Sequence, residues 1–370
     1  MKLLQVAPVI YGYDTFKAFA DEFKLGPDDL ILTNEYIYEP FMAKYNLGCK
    51  LVFQEKFGMG EPDDKMVQGV LDEVKKLGAK RIVAVGGGTI IDIAKILVLE
   101  GEDDLYKMYD NVDKLKKGRE LIVVPTTCGT GSEVTNITIV NLTKLGTKKG
   151  LVSELMYADS AVLIPEFLSS LPYGVFATSS IDALIHAVEA YLNLPKGTPF
   201  TDMFAVDAIK AILEGYKLIA QKGQDARFEY SDQFLRASTA AGIAFGNSSC
   251  AAVHAMSYAL GANYHVPHGE SNYQFFTSVL NMYKKKAPGG KLAQLEELIN
   301  SILGSQDAIP ALSDLLEKIL PKKKMSDYGV KPEEVATFAK STVDNQQRLL
   351  SGNYVPFTLE DIQAIYQERL

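Results

Sequence analysis

The sequence lacks several features that mark particular classes of protein. Its cysteines are only three, Cys49, Cys128 and Cys250, and their odd number and scattered positions exclude a disulfide framework or a CxxC metal site. Acidic side chains outnumber basic ones to give a formal net charge of −8, which argues against a nucleic-acid-binding surface. No stretch approaches the roughly 18 apolar residues of a membrane-spanning helix without Gly, Ser or His interrupting it.

The remaining composition is that of an ordinary globular protein. Hydrophobic residues make up 47% and charged residues 23% of the 370 positions, a length that suffices for two domains with separate cores. Free thiols fit a reducing compartment. We therefore expect a cytoplasmic protein without a nucleic-acid or membrane partner, and the chain is compatible with a homodimer.

In the first half, short apolar runs alternate with amphipathic stretches. Between two of the runs, apolar residues recur at helical spacing, and this helix should begin near Asp63 and end at Gly78. Strands that alternate with helices predict a Rossmann-like parallel sheet. The predicted strands cover residues 29–34, 50–55, 81–88, 120–127 and 160–165.

The second half changes character. From about Ser179 onward every periodic segment is helical, and residues 194–200, "LPKGTPF", have the composition of a loop. The sequence therefore predicts an α/β domain over residues 1–175, followed by an all-helical domain over residues 176–370.

Two loops of the first half have the composition of ligand-binding turns. "RIVAVGGGTIIDIAKIL" (81–97) is a strand, three glycines and a helix, and unhindered backbone amides at a helix start can bind a pyrophosphate. A tight turn that binds nothing would look the same, since GGG is not GxGxxG. "PTTCGTGSEVT" (125–135) follows another strand. Two such loops after two parallel strands indicate one long ligand, such as a dinucleotide.

The chain has four histidines, and three of them lie within residues 254–268. His186 is four residues after Asp182 in a predicted helix, so both side chains share one face. The pair could be a structural carboxylate and a buried histidine, or two metal ligands. With His254 and His268 they make a donor set for Zn²⁺ or Fe²⁺ if the two segments meet.

Four stretches, in order, resemble the motifs of the iron-containing alcohol dehydrogenase family. "GGGTIIDIAK" is similar to its GGGSxxDxAK motif and "PTTCGTGSEVTNITIV" to its PTTxGTGSEVT motif. "SSIDALIHAVEAY" and "VHAMSYALGANYHVPHGESN" resemble its two metal-binding segments. Together they spread over most of residues 80 to 270, and the remainder fits the family's two-domain layout.

The resemblance implies a set of site residues. The metal ligands would be Asp182, His186, His254 and His268. The contacts to NAD, or to NADP, would come from Gly86, Gly87, Gly88, Thr89, Thr126, Thr127, Thr130 and Lys148. Four protein ligands would fill the tetrahedral shell of zinc before substrate arrives, so we expect Fe²⁺, with Zn²⁺ as the alternative.

The amino-acid sequences of three further segments narrow the class of substrate that we expect. "FQEKFGMGEPDD", "YHVPHGESNYQFF" and "QQRLLSGNYVPFTLEDI" resemble the branch of the family that acts on 4-hydroxybutyrate. This implies oxidation of 4-hydroxybutyrate to succinate semialdehyde, and the reverse, by hydride transfer. The alternatives are a butanol- or propanediol-type dehydrogenase and a cyclase of the dehydroquinate synthase type, which should show more basic residues for its phosphorylated substrate.

Three positions depart from the family pattern, and one histidine has no family role. Ile164 stands where an aspartate often precedes the proline of the last α/β strand. Tyr258 replaces a histidine that often lies near the nicotinamide. Asn34 stands where an aspartate often binds the ribose of NAD. Without that aspartate, the sequence gives weaker grounds for predicting NAD rather than NADP as the cofactor. His265 either lines the carboxylate end of the substrate pocket with Tyr258 or serves a proton relay, or it is a surface histidine.

Overall fold

The computed structural model describes residues 2–370, which divide into two compact units. One unit spans residues 6–171 and mixes strands with helices, and the other comprises residues 2–5 and 172–370 and is helical. None of the helices within the described residues combines the length and the apolar character that crossing a membrane requires.

In the α/β unit, the chain alternates strands with short helices. Helix α3 (Asp64–Leu77) illustrates the local rules, because Asp63 caps its start by accepting a hydrogen bond from Met66 N (2.8 Å), and Gly78 ends it in the left-handed conformation. The strands are β1 (Val9–Gly12), β2 (Asp29–Thr33), β3 (Lys50–Phe53), β4 (Arg81–Gly86), β5 (Leu99–Glu100), β6 (Lys116–Lys117), β7 (Glu120–Pro125), β8 (Ile137–Leu142), β9 (Thr147–Val152) and β10 (Ser160–Leu163). The helices are α1 (Phe16–Glu22), α2 (Glu35–Phe41), α3 (Asp64–Leu77), α4 (Gly88–Leu97) and α5 (Leu105–Asp110).

Six strands form a parallel sheet in the order β1-β10-β7-β4-β2-β3, covered by helices on both faces. Successive side chains of a strand point to opposite faces. One face buries Leu30, Ile82 and Leu121 in a core shared with α3 and α4, and the other buries Ile31 and Val83 in a core shared with α1 and α2. The predicted fold class is confirmed. The pairs β5–β6 and β8–β9 are antiparallel ribbons outside this sheet.

The order of the strands reverses around β2. Strand β3 lies on one side of β2 and β4 on the other, after which β7 and β10 continue away from β3. Ligands of open parallel sheets bind outside the carboxyl ends of the strands at such a reversal. We call the residues that follow β2, β4 and β7 there, namely Asn34, residues 86–89 and residues 126–130, the carboxyl edge.

The helical unit contains ten α-helices in residues 172–370 and also takes up residues 2–5. Asn247 fastens that N-terminal segment, since its Oδ1 accepts a hydrogen bond from Gln5 N (2.7 Å). The helices are α6 (Tyr173–Leu192), α7 (Pro199–Lys222), α8 (Ser231–Ser248), α9 (Ala252–Tyr264), α10 (His268–Lys286), α11 (Gly290–Leu303), α12 (Ala308–Ile319), α13 (Val335–Asn345), α14 (Gln347–Leu350) and α15 (Leu359–Glu368).

Three local features differ from the sequence analysis. The strands of the two antiparallel ribbons, β5, β6, β8 and β9, were not predicted. Strand β1 was missed, because it is a four-residue strand at the edge of the sheet whose Val9 is exposed. The prediction of a loop over residues 194–200 is wrong for its last two residues, which belong to α7. Thr198 caps α7 in a capping box and Pro199 is its first residue, a position where the missing N–H of proline costs nothing.

Candidate metal centre and carboxyl edge

Three helices of the helical unit bring the predicted metal ligands together. Asp182 and His186 lie one turn apart on α6, His254 is near the start of α9, and His268 is the first residue of α10. The first three are buried, and the side chain of His268 is 41% exposed. Of the four side chains, that of His268 is the most exposed to solvent.

The carboxylate of Asp182 lies at the centre of the cluster. Its Oδ2 is 4.0 Å from His186 Nδ1 and 3.9 Å from His268 Nε2, and its Oδ1 is 3.8 Å from His254 Nε2. These separations are too long for hydrogen bonds. One donor atom of each residue lies within 4.8 Å of all the others, which is the spacing of ligands that share one cation at bonds of about 2.0–2.2 Å.

Two residues without predicted roles hold the donors in place. The Asn272 amide donates to Asp182 Oδ1 (2.7 Å) and lies 3.2 Å from His268 Nε2. Glu189 accepts from the backbone N–H groups of Ala251 (2.9 Å) and Val253 (2.6 Å), and its Oε2 lies 2.6 Å from His254 Nδ1. A carboxylate on one ring nitrogen orients the other nitrogen toward a metal.

The charges around the cluster favour a cation there. Burial by itself raises the pKa of Asp182, but the three imidazoles and the Asn272 hydrogen bond together lower it below its usual value. Burial disfavours a charged His254, yet Cys250 and Glu189 raise the pKa of that imidazole well above its usual value. Burial raises the pKa of the Cys250 thiol, although His254 opposes this shift.

The donor chemistry fits a divalent transition metal. His254 Nε2 is buried and makes no hydrogen bond, so a polar atom that is expensive to bury faces the Asp182 carboxylate without a partner of its own. Three imidazoles and one carboxylate form a borderline donor set that suits Fe²⁺ or Zn²⁺. A metal ion at the centre of the four residues would satisfy the buried nitrogen and balance the carboxylate.

In the α/β unit, the glycine turn and the hydroxyl-rich loop pack against each other. A Cβ on Gly87 would lie 3.3 Å from Thr127 Cγ2, and one on Gly88 would lie 3.0 Å from Thr130 Cγ2. Side chains at these glycines would separate the two loops. Because α4 begins at Gly88, its first backbone N–H groups have no partner within the helix and can bind an anion.

Buried Lys95 ties α4 to the hydroxyl-rich loop. Its fully buried ammonium donates to the hydroxyls of Ser132 (2.6 Å) and Thr135 (2.9 Å) and to the carbonyl of Ile137 (2.8 Å). Asp92 Oδ1 lies 3.9 Å away and accepts from the Ser132 hydroxyl (2.8 Å). Burial lowers the pKa of Lys95 to about 8, although Asp92 opposes this shift. The ammonium thus fixes the loop from beneath.

The other predicted cofactor residues lie at different places in the same unit. Thr126 is buried at the carboxyl end of β7, where its N–H donates to the Gly86 carbonyl (3.1 Å). The Thr89 hydroxyl donates to the Gly60 carbonyl (3.0 Å), and the Lys148 ammonium, on β9, pairs with Glu61. The structure therefore brings the glycine turn and residues 126–130 together, and both Thr89 and Lys148 contact residues 60–61.

His265 and Tyr258 lie outside the four-residue cluster. His265 is exposed and ends α9 in the left-handed conformation with φ 54°, which histidine tolerates better than most residues. Tyr258 is half-buried and packs against a small cluster that contains Cys250, Ala255 and Leu349.

Two sequence models of one family match nearly the whole chain. The model described as iron-containing alcohol dehydrogenase matches residues 7–165, and that described as Fe-containing alcohol dehydrogenase family, C-terminal, matches residues 176–370. The chain belongs to the iron-containing alcohol dehydrogenase family. It is therefore an oxidoreductase that acts on alcohols, as the sequence analysis expected.

Relatives with assigned activities narrow the comparison within this family. The chain is 50% identical over 370 residues to 4-hydroxybutyrate dehydrogenase of Clostridium kluyveri, with 100% of both chains covered. It is 33% identical over 290 residues to a probable alcohol dehydrogenase, EutG, of Salmonella typhimurium, covering 77% of this chain and 72% of that protein.

Solved structures share the fold. A 1,3-propanediol oxidoreductase superposes with a TM-score of 0.85 at 24% identity and 100% coverage of both chains. Sulfoacetaldehyde reductase from Bifidobacterium kashiwanohense, solved in complex with NAD⁺, has a TM-score of 0.85 at 22% identity and covers 99% of this chain and 98% of its own.

Several site residues found in the structure had little or no signal in the sequence. Asn272 is four residues after His268, a helical spacing that could have drawn attention to it. Glu189 lies on the same helix as His186, but its contact is with His254, 65 positions away. No local pattern could have revealed that pairing.

Proposed function

We propose that this chain interconverts 4-hydroxybutyrate and succinate semialdehyde with NAD, using Fe²⁺ held by Asp182, His186, His254 and His268. The observation that carries the substrate is the 50% identity over the full length of both chains to the Clostridium kluyveri 4-hydroxybutyrate dehydrogenase. The observation that supports the metal is the convergence of the four side chains within 4.8 Å. When bound, the ion supplies Lewis acidity to an alcohol or carbonyl oxygen and the nicotinamide exchanges hydride with the adjacent carbon.

The protein's own task at the metal centre is to hold the donors in one geometry. Asn272 fixes one oxygen of Asp182 by a 2.7 Å hydrogen bond. Glu189 accepts the Nδ1 proton of His254, so that Nε2 points toward Asp182. The burial of Asp182, His186 and His254 keeps bulk water away from three of the four donors, which strengthens their electrostatic interactions.

The protein's task at the carboxyl edge is to bind the phosphates and orient the nucleotide. With a dinucleotide bound, the amides that begin α4 at Gly88 would bind the pyrophosphate, and residues 126–130 would contact the remainder of the cofactor. Lys95 supports that loop through its bonds to Ser132 and Thr135. Thr89 and Lys148 complete the proposed binding surface.

For the carboxylate of the substrate, we propose His265, assisted by Tyr258. The exposed imidazole at the end of α9 can donate a hydrogen bond to a carboxylate, and His265 belongs to the same stretch of chain as His254 and His268. The competing interpretation is that His265 only terminates the helix. We further propose a cytoplasmic location, since Cys49, Cys128 and Cys250 form no disulfide, and the homodimer stays a prediction.

The deciding experiment starts from protein stripped of metal by a chelator. Reloading it anaerobically with Fe²⁺ or Zn²⁺ and following NADH formation with 4-hydroxybutyrate, and separately with 1-butanol, tests metal and substrate together. Parallel assays with NADP⁺ test the nucleotide. We expect metal-dependent turnover that is fastest with Fe²⁺ and selective for the hydroxy acid.

Other outcomes would revise separate parts of the proposal. Turnover of 1-butanol alone would keep the metal centre and discard the substrate. Faster turnover with Zn²⁺ than with Fe²⁺ would replace the metal only. Absence of turnover with every metal and both alcohols would contradict the proposed reaction.

A further inference from the structure

A carboxylate from the neighbouring strand occupies the place where the expected aspartate is missing. Glu55 follows β3, but its side chain reaches back to the end of β2. Its Oε2 accepts a hydrogen bond from the Asn34 amide (2.8 Å), and its Oε1 accepts one from Glu35 N (2.6 Å). Strands β2 and β3 pair in register with Thr33 opposite Phe53, so their carboxyl ends lie side by side.

Asn34 serves to hold this carboxylate. Its amide nitrogen donates to Gln54 Oε1 (3.2 Å) as well as to Glu55, which uses both N–H groups. Its oxygen accepts from the Tyr36 hydroxyl (3.2 Å). Asn34 is buried, whereas Glu55 is half-exposed. The polar atoms of the Asn34 side chain are therefore all hydrogen-bonded within the protein, whereas the carboxylate of Glu55 carries a negative charge that a ligand can reach.

Glu55 retains capacity to bind a ligand. An ionised carboxylate offers about four acceptor positions, and the two contacts to Asn34 and Glu35 use two of them. The oxygens are held from the side of β2, so the carboxylate has a fixed position. A diol with two adjacent hydroxyls could donate to the remaining positions.

The position of β2 determines which part of a dinucleotide would reach this carboxylate. Strand β2 is the hydrogen-bonded neighbour of β4, which leads into the glycine turn. When pyrophosphate binds at such a turn, the adenosine ribose extends over the end of the adjacent strand, where an acidic residue binds the 2′-hydroxyl of NAD. In this chain that strand ends at Asn34 and the acidic residue beside it is Glu55.

We propose that Glu55 selects NAD over NADP by accepting hydrogen bonds from the adenosine ribose and repelling a 2′-phosphate. The inference rests on the proposed nucleotide cofactor and names the residue that discriminates. Placing a phosphate against a carboxylate that is held in position brings like charges together without compensation. Lys56, the adjacent cation, places its ammonium 5.0 Å from the centre of the Phe53 ring.

Equilibrium binding tests this inference without relying on turnover. The nicotinamide fluorescence of NADH and NADPH can be titrated against the metal-loaded protein. For the wild type we expect NADH to bind at least about tenfold more tightly than NADPH. Glu55→Gln should reduce this preference by about tenfold, with weaker NADH binding and stronger NADPH binding.

Two further variants make the test specific. Glu39→Gln removes the same charge from an exposed position on α2 and should leave the preference unchanged. Asn34→Asp in the Glu55→Gln background returns a carboxylate to the end of β2 and should restore the preference for NADH. Restoration would also show that Glu55→Gln had not merely unfolded the site.

The possible failures are distinguishable. If the wild type binds NADH and the Kd ratio of Glu55→Gln stays within about twofold of the wild-type ratio, the role of Glu55 is wrong and the cofactor proposal stands. A wild type that prefers NADPH would also overturn the role of Glu55. Binding of neither nucleotide would reject the cofactor proposal and, with it, this inference.

Discussion

The metal centre and the carboxyl edge are built in opposite ways. The metal centre uses four chemically distinctive side chains on three helices, and its ligands span residues 182–268. The carboxyl edge uses glycines, hydroxyls and backbone amides placed at strand ends. A side-chain site can be recognised by its rare residue types, but only the fold brings them together. A backbone site is placed by sheet topology and is harder to recognise from composition.

This difference predicts how each region responds to mutation. Replacement of a metal ligand should abolish a function while the fold survives, since the donors are few. At the carboxyl edge, single contacts should matter less, and the residues that support the loops should affect stability and binding together.

The largest effect is expected from Asp182→Asn. The amide keeps the shape of the side chain but removes the negative charge that faces three imidazoles. We expect loss of bound metal and a fall in turnover of at least about a thousandfold, because the Lewis acid supplies several kcal/mol of transition-state stabilisation. Metal content per chain and NADH formation are the measurements.

Asp207→Asn is the matched control, since Asp207 is an exposed carboxylate on α7 of the same unit. It should keep full metal content and activity. A full equivalent of metal in Asp182→Asn would contradict the proposed ligand set.

A smaller but global effect is expected from Lys95→Met. The substitution leaves the carbonyl of Ile137, two hydroxyls and Asp92 without the buried ammonium, and removing one partner of a buried ion pair costs at least about 3 kcal/mol. Denaturant unfolding should show this loss, and NADH affinity should fall because the hydroxyl-rich loop is released. Lys76→Met, at an exposed position on α3, should change neither quantity.

The difference in unfolding free energy between the wild type and Lys95→Met should change with pH in one direction. Burial lowers the pKa of Lys95 from 10.5 to about 8, so between these values the unfolded chain binds more protons at this residue than the folded protein does. The contribution of Lys95 to the unfolding free energy therefore rises with pH across this window and is smallest below it. The stability difference between wild type and Lys95→Met should widen from pH 8 toward 10.5. A difference that narrows would contradict the burial of a charged amine.

Glu189→Gln should weaken the metal centre without destroying it. Glu189 is a positioning residue that acts through His254, and loss of such a partner typically lowers metal affinity by about 10- to 100-fold. Competition with a chromophoric chelator measures this affinity directly. Glu214→Gln, exposed on α7, is the control. Unchanged affinity in Glu189→Gln would show that His254 is oriented by the surrounding packing alone.

The sequence was sufficient to predict several strands and helix ends whose formation depends on a local pattern of residues. Strands β2, β3, β4, β7 and β10 were predicted from short apolar runs between turn residues, and the bounds of α3 from Asp63 and Gly78. The pairing of His254 with Glu189, and the reach of Glu55 from β3 to β2, could not be predicted. They join residues of distant or adjacent segments whose side-chain directions are set by tertiary packing.

The smallest effect is expected from His265→Gly, which separates the two interpretations of that histidine. Glycine adopts the left-handed φ of 54° without strain, so the helix end is preserved and stability should change by no more than about 1 kcal/mol. If the imidazole binds the substrate carboxylate, KM for 4-hydroxybutyrate should rise several-fold while KM for 1-butanol stays constant. Equal changes with both alcohols, or no change with either, would mean that His265 only terminates α9. The carboxylate would then have to be recognised by other residues of the site.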